Sequence, residues 1–137
     1  GRQGAALVGI DLQKDPAILE AAYNDAAGVT REFTLNLLTR INRELQADFN
    51  LDEFDHRARY NAQAGRIETH VVSRIDQVVA IGTHRFAFAA GEAMLVEYSC
   101  KYAVEEFAAM AAKAGLRVVR SWSDSRQWFA MQMLERA

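Results

Sequence analysis

The sequence predicts an α/β fold: its two ends form parts of one doubly wound sheet, and its middle is an insertion of two helices and an antiparallel β meander. Three observations carry this reading. Residues 5–10 are a continuous apolar run, the pattern of a strand buried on both faces of a parallel sheet. Residues 16–47 place apolar side chains at helical spacing. From Phe54 to Tyr102 the rhythm changes to period two, and a helix and two more strands follow.

Taken in order, the first strand ends at Asp11, and Asp15-Pro16 supplies an N-cap with proline at the first helical position. Ile18, Leu19, Ala22 and Tyr23 form the stripe of that helix, with Gly28 as its expected C-terminal glycine. Thr30 is expected to cap a second helix reaching about Ala47, with Phe33, Leu37, Leu38, Ile41 and Leu45 as its apolar face. Strands are expected at 56–61, 66–73, 77–81, 84–88 and 93–100. Turn signals separate them at Ala64-Gly65, around Asp76, at Gly82-Thr83 and at Ala90-Gly91. A third helix runs from Val104 to Ala114 and stops at Gly115. Strands at 116–122 and 128–134 are joined by the polar turn Ser123-Asp124-Ser125-Arg126. A strand buried in a parallel sheet needs neighbours on both sides. The chain supplies them only from its last strands, so a further part of the sheet is expected upstream of Gly1.

Composition narrows the function classes. The 137 residues are 50% hydrophobic and 25% charged, enough for one packed globular domain. Charges of both signs are interspersed, and no basic run exceeds two residues, so nucleic acid is not an expected partner. No apolar stretch is long enough to span a bilayer, and Arg2-Gln3 lead into a strand-like run rather than a signal peptide. The single Cys100 cannot form an internal disulfide, which fits a reducing compartment, and a cytoplasmic location is expected.

Candidate site residues come from local pattern. Alternation on a strand puts Glu97 and Ser99 on the face of Ala93 and Leu95. A carboxylate there needs a donor, which a ligand N–H could supply, and the serine hydroxyl can both donate and accept. Such a pair suits an imidazole. The alternative is an amphipathic edge strand with Glu97 in water or paired to Lys101. Tyr23, near a helix end and flanked by small alanines, could hold a substrate carboxylate or simply pack beside Leu19. His56, His70 and His84 lack the close ligand spacing of a zinc site, so no metal ligand is assigned. Cys100 has no partner base, and neither a nucleophile elbow nor a glycine-rich dinucleotide or phosphate loop is present. No catalytic residue and no cofactor-binding residue is assigned.

Five stretches together resemble the C-terminal part of the histidine-specific S-adenosylmethionine-dependent methyltransferase family, which includes the histidine methyltransferases of ergothioneine biosynthesis. They are Leu-Val-Gly-Ile-Asp-Leu-Gln-Lys-Asp-Pro at 7–16, Ala-Tyr-Asn-Asp-Ala-Ala-Gly-Val-Thr at 22–30, Leu-Leu-Thr-Arg-Ile-Asn-Arg-Glu-Leu-Gln-Ala-Asp-Phe at 37–49, Arg-Ile-Glu at 66–68 and Gly-Glu-Ala-Met-Leu-Val-Glu-Tyr-Ser-Cys-Lys-Tyr at 91–102. The resemblance implies that residues 1–12 and 103–137 are the remnant of a Rossmann-like cofactor domain, and that 13–102 form a substrate-recognition insertion. It implies that Tyr23 holds the amino-acid end of the substrate, that Glu97 and Ser99 grip its imidazole, and that Phe33 lies along the pocket wall. Thr69 stands where relatives often carry methionine in the ring pocket, a smaller and polar departure that bears on histidine selectivity. The implied cofactor, S-adenosylmethionine, belongs to the full-length enzyme, with its binding loop upstream of Gly1. The implied partner is a small amino-acid substrate. A stand-alone amino-acid-binding module without catalysis is the alternative. The exposed half-sheet leads us to expect a homo-oligomer.

Overall fold

The computed structural model describes residues 4–137. The first three positions, which carry the Arg2-Gln3 reading and the start of the 1–12 segment, lie outside the described residues. The chain divides into two compact units, one comprising the residues up to Asp15 with Ala62–Arg66 and Cys100–Ala137, the other Pro16–Asn61 and Ile67–Ser99. The architecture is mixed α/β, and every strand pairing of known direction between named strands is antiparallel. No helix among the described residues is long and apolar enough to cross a membrane.

The first unit is built on β1 (Ala5–Asp11), α3 (Val104–Lys113), β7 (Leu116–Ser123) and β8 (Phe129–Arg136). Its sheet has the order β1-β8-β7, with β8 in the centre and antiparallel to both neighbours. Glu106 reaches back to accept from the N–H of Ala103 at 3.3 Å, and the helix ends before Gly115, which takes a φ of +73°. Phe107 and Ala111 of α3 pack on Ile10, Leu12, Ala130 and Leu134. Alternation explains which residues these are: Ala130, Gln132 and Leu134 of β8 are buried, and their neighbours are not.

This arrangement corrects the expectation for the first strand. The expected strand buried on both faces of a parallel sheet pairs instead with antiparallel β8, and most of it is exposed, Leu7 at 62%. The reason is that α3 covers one face only: Val8, Ile10 and Leu12 meet the helix side. An unbroken apolar run shows that both faces suit apolar surroundings. It does not show that this chain supplies both.

In the second unit, α1 (Pro16–Tyr23) and α2 (Val29–Leu45) accompany β2 (Phe54–Asn61), β3 (Arg66–Ser73) and β6 (Ala93–Cys100), which form a sheet of order β2-β3-β6. The remaining pair, β4 (Gln77–Ile81) and β5 (His84–Phe88), is a separate antiparallel ribbon closed by the Gly82-Thr83 turn. The strand limits follow the sequence expectation closely, but the simple meander does not, because β3 pairs with β6 and not with β4. Two backbone bonds close the neck of the excursion: Ser73 N–H donates to Glu92 O at 2.9 Å, and Gly91 N–H donates to Ser73 O at 2.8 Å. Gln77 Nε2 adds a bond to Ser73 Oγ at 2.6 Å.

Two clusters make up this core. Leu35, Leu38, Phe49, Phe54, Val71 and Val79 form one, joined by Met94, Val96 and Phe88; Leu19, Ala58 and Ile67 form the other, joined by Tyr23 and Tyr60. The face expected for α2 is corrected in part. Leu38 and Ile41 do pack inward, but the sheet takes Thr34 and Leu35, whereas Phe33, Leu37 and Leu45 are 72%, 41% and 56% exposed. The helix carries apolar residues on two adjacent flanks, and only one of them meets the sheet. On α1, likewise, Leu19 is buried but Ile18 is 38% exposed.

Candidate functional site

Tyr23 ends α1, and side chains acting in place of backbone hold its surroundings. The amide of Asn24 lies against Ala58 of β2, donating to its carbonyl at 3.0 Å and accepting from its N–H at 3.2 Å. Glu20 accepts from the N–H of Tyr60 at 2.9 Å. His56 Nε2 sits 2.7 Å from the carbonyl of Tyr23. A carbonyl only accepts, so Nε2 carries the proton, and the bond satisfies one of the carbonyls that a helix end leaves open.

Asp25 then starts α2. Its two carboxylate oxygens accept from Val29 N–H and Thr30 N–H, both at 2.9 Å, and Gly28 turns the chain at a φ of +74°. Gly28 is therefore the entry to α2 and not the end of α1, and Thr30 is capped rather than capping. Hydrogen bonds from the Thr30 hydroxyl and N–H, then from Val29, hold the Asp25 carboxyl down at about 2. Sequence reading singled out Tyr23 in this stretch, named His56 only as a histidine without metal-ligand spacing, and missed the roles of Asn24, Asp25 and Glu20. Asp25 carries a readable signal, an acidic residue just ahead of a glycine-led helix start. The contacts of Asn24 and Glu20 to β2 span 34 and 40 residues of sequence and have no local signature.

On β6, burial alternates through Met94 and Val96, Glu97 and Tyr98 are both exposed, and Ser99 is half-buried. The Oγ of Ser99 lies 2.6 Å from the hydroxyl of Tyr23, the last residue of α1. Glu97 and its neighbour Val96 line a groove of about 340 Å³ with Phe33, Thr34, Asn36, Leu37 and Arg40 of α2. Phe33 and Glu97 therefore share one wall system, and Tyr23 and Ser99 form a second pair outside that lining. Thr69 is in neither lining: it is 1% exposed on β3.

The groove offers an exposed aromatic face beside a carboxylate, a combination suited to a flat ring carrying an N–H donor or positive charge. The Tyr23 and Ser99 hydroxyls can both donate and accept, so the pair can open to a ligand by exchanging one hydrogen bond for two. Lys101, from the same strand-end motif, is 3% exposed, and its ammonium meets Asp11 at 2.9 Å within the first unit. Burial pushes the Asp11 carboxyl up, but hydrogen bonds and charge from Lys14 and Lys101 outweigh it, and the net direction is down. His70 is half-buried on β3 and His84 is exposed at the ribbon turn.

Comparison with known proteins defines the class. The chain belongs to the family of histidine-specific, S-adenosylmethionine-dependent methyltransferases, whose model matches residues 1–136. Among characterised relatives, it is 45% identical to a histidine N-alpha-methyltransferase of Mycolicibacterium smegmatis over 132 residues, which is 95% of this chain and 41% of that protein. It is 30% identical to ergothioneine biosynthesis protein 1 of Neurospora crassa, over 93% of this chain and 14% of that one. It is 28% identical to an L-tryptophan methyltransferase of Psilocybe serbica, over 97% of this chain and 38% of that one. The chain thus spans about two-fifths of the length of the bacterial histidine methyltransferase.

S-adenosylmethionine is the methyl donor of the family. The glycines among the described residues form no glycine-rich loop. Gly28, Gly65, Gly82, Gly91 and Gly115 stand singly at turns or helix ends with positive φ. Gly9 is filled over by the Phe129 ring, 2.5 Å from where a Cβ would lie. No residue of this chain is assigned to the donor.

Proposed function

We propose that this chain is the substrate-recognition part of a methyltransferase that moves methyl groups to the α-amine of histidine or a related amino acid. The observation that carries the proposal is the 2.6 Å bond between Tyr23 and Ser99. It joins the two stretches most specific to the resemblance, at 22–30 and 91–102, although 76 residues separate them. In this reading Tyr23 holds the α-carboxylate or amine region, Glu97 and Ser99 take the imidazole nitrogens, and Phe33 and Thr69 shape the ring pocket. The donor supplies an electrophilic methyl group. The residues of this chain bind and aim the amine, which must be neutral and held on line, and they transfer no proton themselves. A site built to hydrogen-bond two ring nitrogens also disfavours amino acids that leave those groups unpaired.

The sheet β1-β8-β7 with α3 then corresponds to the remnant of a Rossmann-like cofactor domain, and the helices with β2 to β6 to the inserted substrate domain. In support, β1 and β7 both run antiparallel to β8, and so parallel to each other. A cytoplasmic location fits the reading. β1 is an edge strand, and we take pairing of such edges between copies to make the isolated chain a homo-oligomer.

Titration calorimetry separates the readings. The chain is expected to bind L-histidine and not S-adenosylmethionine, and Tyr23→Phe, Ser99→Ala and Glu97→Gln should each weaken histidine binding about tenfold. No heat with histidine overturns the substrate-recognition role, and tight binding of S-adenosylmethionine overturns the division of labour. A stand-alone binding module predicts that the chain joined to its upstream sequence binds histidine and still transfers no methyl group.

A further inference from the structure

Two ionic groups of opposite sign line the same groove, Arg40 from α2 and Glu97 from β6. Opposite charges on a shared surface attract, and a long arginine is the natural partner for such a carboxylate. Yet Glu97 is exposed and makes no hydrogen bond or ion pair among the described residues. Arg40 is turned along its own helix instead. Its Nε and Nη2 donate to the two carboxylate oxygens of Glu44 at 3.3 and 3.2 Å, a forked pair that fixes the guanidinium plane. Arg43, outside the groove lining, adds a bond to Glu44 at 2.8 Å. Hydrogen bonds from Arg40, then from Arg43, hold the Glu44 carboxyl below the usual carboxylate range.

Helix energetics do not account for Glu44. It is the next-to-last residue of α2, where the carbonyl end of the helix dipole disfavours an anion. The pair runs from Arg at i to Glu at i+4, the less stabilising order. Its side chains are 59% and 46% exposed, so it adds little to stability. Local rules broken without structural gain are found at functional sites. We infer that Glu44 is a positioning residue, which holds the Arg40 guanidinium away from Glu97 and so keeps that carboxylate open to a ligand N–H. This inference rests on the amino-acid site proposed above and deepens it by naming what guards Glu97. Without Glu44, Arg40 swings across the groove and pairs with Glu97. A ligand then has to break that pair, and its apparent affinity falls by the fraction of chains in which Glu97 is open.

Titration calorimetry with L-histidine tests this on four forms of the full chain: wild type, Glu44→Gln, Arg40→Met and the double variant. With Arg40 present, Glu44→Gln is expected to weaken histidine binding about threefold, the scale on which an exposed carboxylate–guanidinium pair shifts an equilibrium. In the Arg40→Met background the same substitution should leave affinity unchanged, because the competitor is gone. The threefold gap should also close at about 1 M salt, where the Debye length is about 3 Å and the competing pair is screened. An equal loss in both backgrounds and at both salt concentrations, the result if Glu44 is merely structural, overturns the inference. So does a Glu44→Gln affinity equal to wild type. If Glu97→Gln still loses binding in either case, the amino-acid site stands and only the role of Glu44 falls. If the unaltered chain gives no heat with histidine, both fall together.

Discussion

At the scale of single residues, Tyr23 is placed by its neighbours more than by its own packing. Asn24 and Glu20 bind β2, His56 holds the carbonyl of Tyr23, and Asp25 starts the next helix. Asp25 gives a pH prediction. Its carboxyl is lowered from 3.8 to about 2 in the folded chain, so the unfolded chain binds the proton more readily between those values. The stabilisation is present above about pH 4 and drains away as pH falls through that window. Asp25→Asn keeps a capping oxygen but has no charge to lose. Urea denaturation at pH 5 and pH 2.5 should show a smaller drop for Asp25→Asn than for wild type; an equal drop refutes the assignment. Candidate residues were legible at this scale where a local motif carries them, as for Tyr23, Glu97 and Ser99. Their supports were not, because strands tens of residues away supply them.

Among the elements, all three helices and every strand were readable from periodicity and turn residues, and the errors cluster at partners. The interface between α1 and α2 was misread because Gly28 suits either a helix end or a helix start. With no atom within 4 Å of its would-be Cβ, its cost to any other residue is conformational alone. Gly28→Ala should therefore cost about 1 kcal/mol in chemical denaturation, the αL penalty of a residue with a Cβ. A cost near zero would show that the chain relaxes there. The burial of Lys101 was not visible in the sequence. With its side chain 1% exposed against Asp11, Asp11→Asn removes a carboxylate from a desolvated ammonium and should cost about 3 kcal/mol in urea denaturation. A loss below 1 kcal/mol contradicts a buried ion pair at that position.

For the molecule as a whole, the mixed α/β class was legible, and the sheet pairing was only half legible. An apolar run announces burial, but pairing depends on what lies beside it, and β8 comes from the opposite end of the chain. The separate β4–β5 ribbon escaped for the same reason, since turns at Gly82 and Gly91 look alike whether strands continue one sheet or leave it. The open edge of β1 predicts association, and light scattering at high protein concentration should give a mass above 15.3 kDa; a strict monomer contradicts it. In the proposed site, Tyr23, Glu97 and Ser99, with Phe33 beside them, receive one amino acid. The most direct check is a set of amide spectra of isotopically labelled chain recorded as L-histidine is added. Saturable shifts concentrated at residues 23, 33, 97 and 99 are expected. Shifts confined to the first unit, or none at millimolar histidine, contradict the site.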